Sequence, residues 1–479
     1  MIESVLFRLL DAFNALVLIY FVVLNTGYFI TGLFAFRSLR RYVRRLRSLD
    51  IEDLLGSTGM PPITLIAPAF NEEATCVEAT RSLLTLRYGD MEILVCNDGS
   101  KDATLERLTE AFDLEPSFRL PTGEVPTAGV RGVYRSRTHH VLWVIDKENG
   151  GKADTLNAGL NYCRTPLFCA MDADSLLERE ALTRIVRPFV EDAHTIAAGG
   201  VIRIINGCRV EEGSVVDVRL PRELLPRFQV LEYLRAFLAG RMGWHELDST
   251  LIISGAFGVF RRDLVVDVGG YATDTVGEDM ELVVRLHRHC LEKKIPYSIG
   301  FVPDPVAWTE CPSTTRILGR QRDRWQRGLI ETLVRHRRML LNPRYGRIGM
   351  LAYPYFVFLE MLSPVVEVLG YIGFFVSLAL GRVSTLYATA FLSVAIGLGI
   401  GLSFTAVALE ELGFRRYPKR ADLYRLIWLA IAENFGYRQL TAMWRLRGII
   451  TVFKRSKGWG KMERRGFGTR PAGETRAGS

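Results

Sequence analysis

The stretch Leu167-Phe168-Cys169-Ala170-Met171-Asp172-Ala173-Asp174-Ser175 runs five apolar residues into two carboxylates set two positions apart. A short apolar run without helical period reads as a buried strand, and its polar ending marks where the chain leaves the core. Three earlier runs end in the same manner. Ile63–Ala69 precedes Phe70-Asn71-Glu72-Glu73, Ile93–Cys96 precedes Asn97-Asp98-Gly99-Ser100, and Val141–Ile145 precedes Asp146 and Gly150-Gly151-Lys152. Amphipathic stretches separate the runs, so residues 61–193 read as a βαβ array on a mostly parallel sheet. Ligands of such sheets bind beyond the carboxyl ends of the strands, which is where these acids, glycines and the lysine gather.

Asp172 and Asp174 at a strand end can hold a hard cation, Mg2+ or Mn2+, and leave coordination positions for substrate phosphates. An acidic turn capping a helix from about Leu176 would be written with the same residues. An Asx turn likewise explains Asn97–Ser100 by itself. Four successive strand ends with this chemistry fit a nucleotide diphosphate and its metal better than four unrelated turns do.

Away from that array the chain turns apolar. Ala12–Phe36 carries no charge over about 25 residues, enough to cross a hydrocarbon core. Arg37, Arg40, Arg41, Arg44, Arg45 and Arg47 follow it, the reverse of a secretory signal's order, and the positive-inside rule puts that end in the cytoplasm. Ile348–Leu380 is a second apolar stretch, interrupted by Glu360 and Glu367, with Pro354 and Pro364 expected to kink it. Glu360 and Glu367, seven apart on one helix face, should point away from lipid. Val383–Leu409 is a cleaner span of about 27 uncharged residues. Leu423–Trp444 contains Arg425, Glu433, Asn434 and Arg438 and reads as an interfacial or re-entrant helix.

The net charge of +9 lies in clusters beside these apolar segments, so the expected partner is a bilayer surface and not nucleic acid. Seven cysteines without a CxxC pair read as reduced thiols, with neither a zinc site nor a disulfide framework. The expected organisation is a span and basic segment over 1–50, a cytoplasmic α/β domain over 51–347 ending in interfacial helices, membrane and interfacial helices over 348–453, and a basic, partly disordered tail over 454–479.

Seven blocks stand in order through about 260 residues: Ala67-Pro68-Ala69-Phe70-Asn71-Glu72-Glu73, Asn97–Ser100, Gly150–Leu160, Met171–Ser175, Ser254–Asp263, Gly277-Glu278-Asp279, and Gln321-Arg322-Asp323-Arg324-Trp325. In these blocks the sequence resembles the processive, membrane-integrated members of glycosyltransferase family 2, which include cellulose, hyaluronan and poly-N-acetylglucosamine synthases. The resemblance implies an α/β GT-A domain flanked by transmembrane helices. It implies that Ala69, Glu72 and Asp98 serve the nucleoside, that Asp172 and Asp174 bind metal and diphosphate, and that Lys152 lies near the phosphates. It makes Asp279 the general base of an inverting transfer. Gln321 and Arg324 then contact diphosphate or acceptor, while Gly255, Glu278 and Trp325 contact the acceptor sugar. Gly277 departs from the threonine or aspartate more usual there.

The function so implied is polymerisation of sugars from a nucleotide-sugar, most naturally a UDP-sugar, into a β-linked exopolysaccharide, with N-acetylglucosamine as the sugar and export as a companion activity. Transfer of one sugar to a lipid or lipid-linked acceptor needs fewer spans, and an idle membrane scaffold would not need an intact catalytic set. An accessory subunit or a homo-oligomer would complete a conduit that few spans cannot form alone.

Overall fold

The computed structural model describes residues 2–47, 59–172, 175–211 and 213–452. Strands β1 (Ile63–Ala69), β2 (Met91–Asn97), β3 (Leu114–Pro116), β4 (Val130–Ser136), β5 (Leu142–Lys147) and β6 (Leu167–Met171) build one half of a ten-stranded sheet. β7 (Leu176–Leu177) and β8 (Thr195–Ile204) belong to the other half, β9 (Arg209–Glu211) and β10 (Ser214–Asp217) form a separate hairpin, and β11 (Phe257–Arg261) and β12 (Ser298–Thr309) complete the sheet. Its order is β3-β4-β5-β2-β1-β6-β11-β8-β12-β7. The four runs read from sequence are its adjacent central strands β5, β2, β1 and β6, all parallel.

Side chains alternate across a strand, and here that alternation feeds two cores. Leu65, Ala67, Ile93 and Val95 enter one; Ile66, Leu94 and Cys96 enter the other. Burial on both faces explains why these strands are continuous apolar runs.

Two expectations are corrected. The helix expected from Leu176 begins at Ala181, because Leu176 and Leu177 pair as β7 with Trp308 and Ala307. The glycine-containing stretch Leu251–Phe260 reads in the sequence as one strand, yet the strand begins at Phe257 and runs antiparallel between β6 and β8. Before it, Ser254–Phe257 turns back on itself, and the Gly255 N–H is satisfied by a carboxylate instead of a neighbouring strand. The mostly parallel sheet also acquires an antiparallel edge, β3–β4, ahead of β5.

Helix α1 (Ile2–Arg47) contains Val5–Arg44, the first of three helices among the described residues that are long and apolar enough to cross a membrane; the others are Ile348–Ala379 and Thr385–Gly413. Ile348–Ala379 is irregular around both prolines. π-helical turns at Ile348–Ala352 and Phe356–Met361 flank Pro354, and Pro364 sits in the first turn of the helix Ser363–Ala379. Glu360 is turned inward, accepting from Tyr28 Oη at 2.8 Å and lying 3.5 Å from the Arg445 guanidinium.

The apolar stretch after Ala421 is two helices, Arg420–Ala432 and Tyr437–Val452, broken where Gly436 takes φ +107°. At about 1.5 Å per residue the first is roughly 20 Å long, short of a hydrocarbon core of about 30 Å. Leu426, Leu429, Ala430 and Tyr437 join the core that also holds β1 and β2, so this hairpin and the sheet domain pack as one body.

Candidate active site

A cavity of about 360 Å³ opens at the carboxyl end of β6. One wall consists of Asp172, Lys152, Gly255, Glu278 and Asp279; Gln321, Arg324 and Trp325 form another. Residues that are 173 positions apart in sequence therefore share one space, as the spacing of motifs alone does not require.

Helix α2 (Lys152–Tyr162) begins with the lysine that lies at the centre of the first wall. Lys152 Nζ is 2.5 Å from Asp172 Oδ1 and 3.4 Å from Glu278 Oε1, and it donates to the Gly255 carbonyl at 3.4 Å. Burial works against its charge, but Asp172, Glu278 and Asp279 together raise its pKa above the ordinary lysine value. Burial raises the Glu278 pKa, opposed by Lys152 and reinforced by Asp279. Asp172 keeps a third of its side chain exposed toward the cavity.

Helix α3 (Leu224–Tyr233) and the π-helical turn after it, Leu234–Gly240, bring Tyr233 and Phe237 to the cavity. Asp279 lies in the first turn of α4 (Glu278–Lys293), its Oδ2 accepting from the Gly255 N–H at 3.0 Å and its Oδ1 from the Met280 N–H at 2.8 Å. A Cβ on residue 255 would stand 2.8 Å from Lys152 Nζ, so a larger residue there would displace the lysine ammonium from its place beside Asp279.

Helix α5 (Thr315–Arg335) carries Gln321, Arg324 and Trp325, and Trp325 is 37% exposed. The Gly277 departure has a physical cause here. A Cβ on residue 277 would lie 2.7 Å from Gly328 Cα, so the start of α4 touches the backbone of α5 directly. Gly277→Thr, the more usual residue of the family, is expected to destabilise this protein by about 1–3 kcal/mol through overpacking. A fall in both thermal midpoint and turnover is the expected readout, and an unchanged midpoint would show that the close approach is dispensable.

Ala69, Glu72 and Asp98 do not line this cavity. The Ala69 carbonyl accepts from the Asp98 N–H at 2.8 Å, and Glu72 Oε2 accepts from Thr75 Oγ1 at 2.8 Å. Asp98 is buried and filled from within. Its Oδ1 accepts from Lys147 Nζ and the Gly150 N–H, both at 2.9 Å, and its Oδ2 from Asn149 Nδ2 at 3.0 Å and the Gly151 N–H at 2.8 Å. A carboxylate has about four lone-pair directions, and the protein uses them to hold the turn that leads into Lys152. Asp174 lies outside the described residues.

Tyr233, Phe237 and the segment Glu310–Thr314 complete the lining and were not singled out in the sequence. The available signal was Glu310-Cys311-Pro312 directly after β12, one more polar strand ending.

The model of glycosyl transferase family 2 matches residues 64–265, and that of glycosyl transferase family group 2 matches residues 167–404. The chain belongs to glycosyltransferase family 2. Among curated relatives of this glycosyltransferase, the poly-beta-1,6-N-acetyl-D-glucosamine synthase of Staphylococcus aureus is 27% identical over 327 residues, covering 66% of each chain. The probable glycosyltransferase YdaM of Bacillus subtilis is 26% identical over 274 residues, 56% of this chain and 55% of that one. The match thus spans about two thirds or less of these relatives' lengths. Mannosyltransferase PcManGT from Pyrobaculum calidifontis, solved with GDP-Man and Mn2+, shares the fold at a TM-score of 0.51 and 18% identity, covering 88% of this chain and 99% of its own.

Proposed function

We propose that this glycosyltransferase is a membrane-embedded exopolysaccharide synthase that takes N-acetylglucosamine from its UDP-linked form on the cytoplasmic side and adds it, with inversion, to a growing β-linked chain. The observation that carries the reading is the cavity itself, which Asp279 lines together with a lysine-carboxylate cluster and the amide, guanidinium and indole of α5. The named activity of the Staphylococcus aureus relative supports the sugar and the polymer.

Asp279 takes the proton of the acceptor hydroxyl as that oxygen attacks the anomeric carbon from the face opposite the diphosphate. The bond from the anomeric carbon to the diphosphate oxygen breaks, its electron pair leaves with UDP, and an α-linked donor gives a β-linked product. Lys152, Arg324 and Gln321 take up charge on the departing diphosphate. Trp325 offers a flat apolar face to the acceptor sugar, beside Gly255 and Glu278. Ala69, Glu72 and Asp98 serve the nucleoside end, Asp98 by shaping the turn before Lys152.

Asp172 presents carboxylate oxygen to the cavity, the ligand type that Mg2+ and Mn2+ take, and with Asp174 it would hold such an ion. A cation held there would neutralise diphosphate charge. The arginines from Arg37 to Arg47 support a cytoplasmic transferase face through the positive-inside tendency.

Protein purified into nanodiscs and given single UDP- or GDP-sugars with Mg2+ or Mn2+ tests the reading through nucleotide release and product mass. Sustained UDP release from UDP-N-acetylglucosamine with a high-mass product is expected, and EDTA should reduce it to background until the ion is resupplied. A single-sugar adduct on lipid would replace the polymer by a lipid acceptor. Silence with every donor would overturn the reading.

A further inference from the structure

Arg322 stands in the same short motif as Gln321 and Trp325, yet unlike them it does not line the cavity. Its side chain is 2% exposed and occupies the space behind that wall. Nη1 donates to Gln321 Oε1 at 2.7 Å, Nη2 donates to Glu232 Oε2 at 2.7 Å, and the guanidinium carbon lies 4.3 Å from the centre of the Trp325 ring. One planar group therefore touches both neighbours that face the cavity. Because a guanidinium only donates, the Gln321 oxygen is turned toward Arg322, leaving the amide's two N–H donors for the cavity. The face of the same guanidinium sets the plane of the indole.

Burying that charge requires a counter-ion, and α3 supplies Glu232. The helix α6 (Tyr437–Val452), second in the C-terminal hairpin, fixes Glu232 in turn: Tyr437 Oη donates to Glu232 Oε2 at 2.5 Å, and its ring stacks on Phe228 at 4.9 Å. α3 also steadies the cavity from another side, because Gln229 Nε2 donates to the Pro312 carbonyl at 2.8 Å.

We propose that Arg322 is a positioning residue that sets the Gln321 amide and the Trp325 indole together, and that the C-terminal hairpin holds it in place through Tyr437 and Glu232. The proposal rests on the transferase reading of the cavity, and it adds that the acceptor wall depends on a contact from the membrane-side hairpin. Lysine keeps the charge opposite Glu232 but has no planar fork with which to reach Gln321 and stack on Trp325 at once.

The full chain in nanodiscs, labelled with 5-fluorotryptophan at its seven tryptophans, gives a readout independent of the sugar. The Trp325 resonance is assigned by its loss in Trp325→Phe. Arg322→Lys is expected to move it while Trp143 and Trp308 stay in place, and Tyr437→Phe, which removes only a hydroxyl, to move it less. With UDP-N-acetylglucosamine and a short N-acetylglucosamine oligomer, Arg322→Lys should raise the acceptor KM roughly tenfold through Trp325, the scale of one charged hydrogen bond, and lower kcat as Gln321 loses its aim at the departing diphosphate. A Trp325 resonance unmoved in both variants, or all resonances shifting together, would overturn the proposal. Wild-type protein that releases UDP without chain growth would instead sink the polymer reading and leave the fluorine test standing.

Discussion

Asp279→Asn is expected to lower sugar transfer by about 10³-fold, within the range that general-base catalysis supplies, while leaving donor binding nearly intact. The substitution keeps the volume and retains an oxygen to accept from the Gly255 N–H, now at 3.0 Å from Oδ2, so the wall should keep its shape. What is lost is the group that takes the acceptor proton. Glu278 is the neighbouring carboxylate, but it is buried and 3.4 Å from Lys152 Nζ, so it is poorly placed to substitute. Nucleotide release and product formation in nanodiscs, beside UDP binding by calorimetry, check the expectation. Transfer above a tenth of the wild-type rate would remove Asp279 from the base role, and loss of UDP binding would make its effect one of architecture.

The central sheet was legible in the sequence because each of its four strands is buried on both faces, which writes an unbroken apolar run followed by polar residues. The meeting of Asp172 and Lys152 follows from that sheet, since Asp172 directly follows β6 and Lys152 begins the helix after β5, whereas Asp279 and the α5 residues come from helices beyond the four central strands. Strands β3 and β4 were not read. Their burial is only partial, they lie at an edge, and they have no continuous apolar run to announce them. β7 is two residues held by pairing with β12, a partner more than a hundred positions away, and no local pattern encodes such a pairing.

The π-helical turn that delivers Phe237 to the cavity is of the same kind. Its geometry depends on what packs around Leu234–Gly240, whereas the helical period of the sequence continues through it unaltered. The Gly277 departure had no explanation until Gly328, on another helix, came against it. The missing information in each case is non-local.

Lys147 was passed over for the same reason, and its substitution is expected to have the largest effect on stability. The sequence offers two lysines five apart after β5 begins, and motif resemblance selects Lys152. Lys147 is fully buried, 2.9 Å from Asp98 Oδ1 and 2.6 Å from Asp154 Oδ2, and it also donates to the Glu148 carbonyl at 2.5 Å. Burial disfavours its charge, yet Asp154 and Asp98 raise its pKa, so the ammonium is the counter-ion of two buried carboxylates. Lys147→Met fills the space but leaves both carboxylates uncompensated, and breaking a buried pair this way costs about 3–5 kcal/mol. At a few degrees per kcal/mol, the thermal midpoint should fall by roughly 10 °C. The loss should propagate to Lys152, because Asp98 holds the Gly150-Gly151 turn from which α2 starts. Lys147→Met with Asp154→Asn removes one of the stranded charges and should recover part of the midpoint. A single variant within about 1 kcal/mol of wild type would mean that the backbone donors around Asp98 suffice to hold the turn, and that Lys147 contributes packing alone.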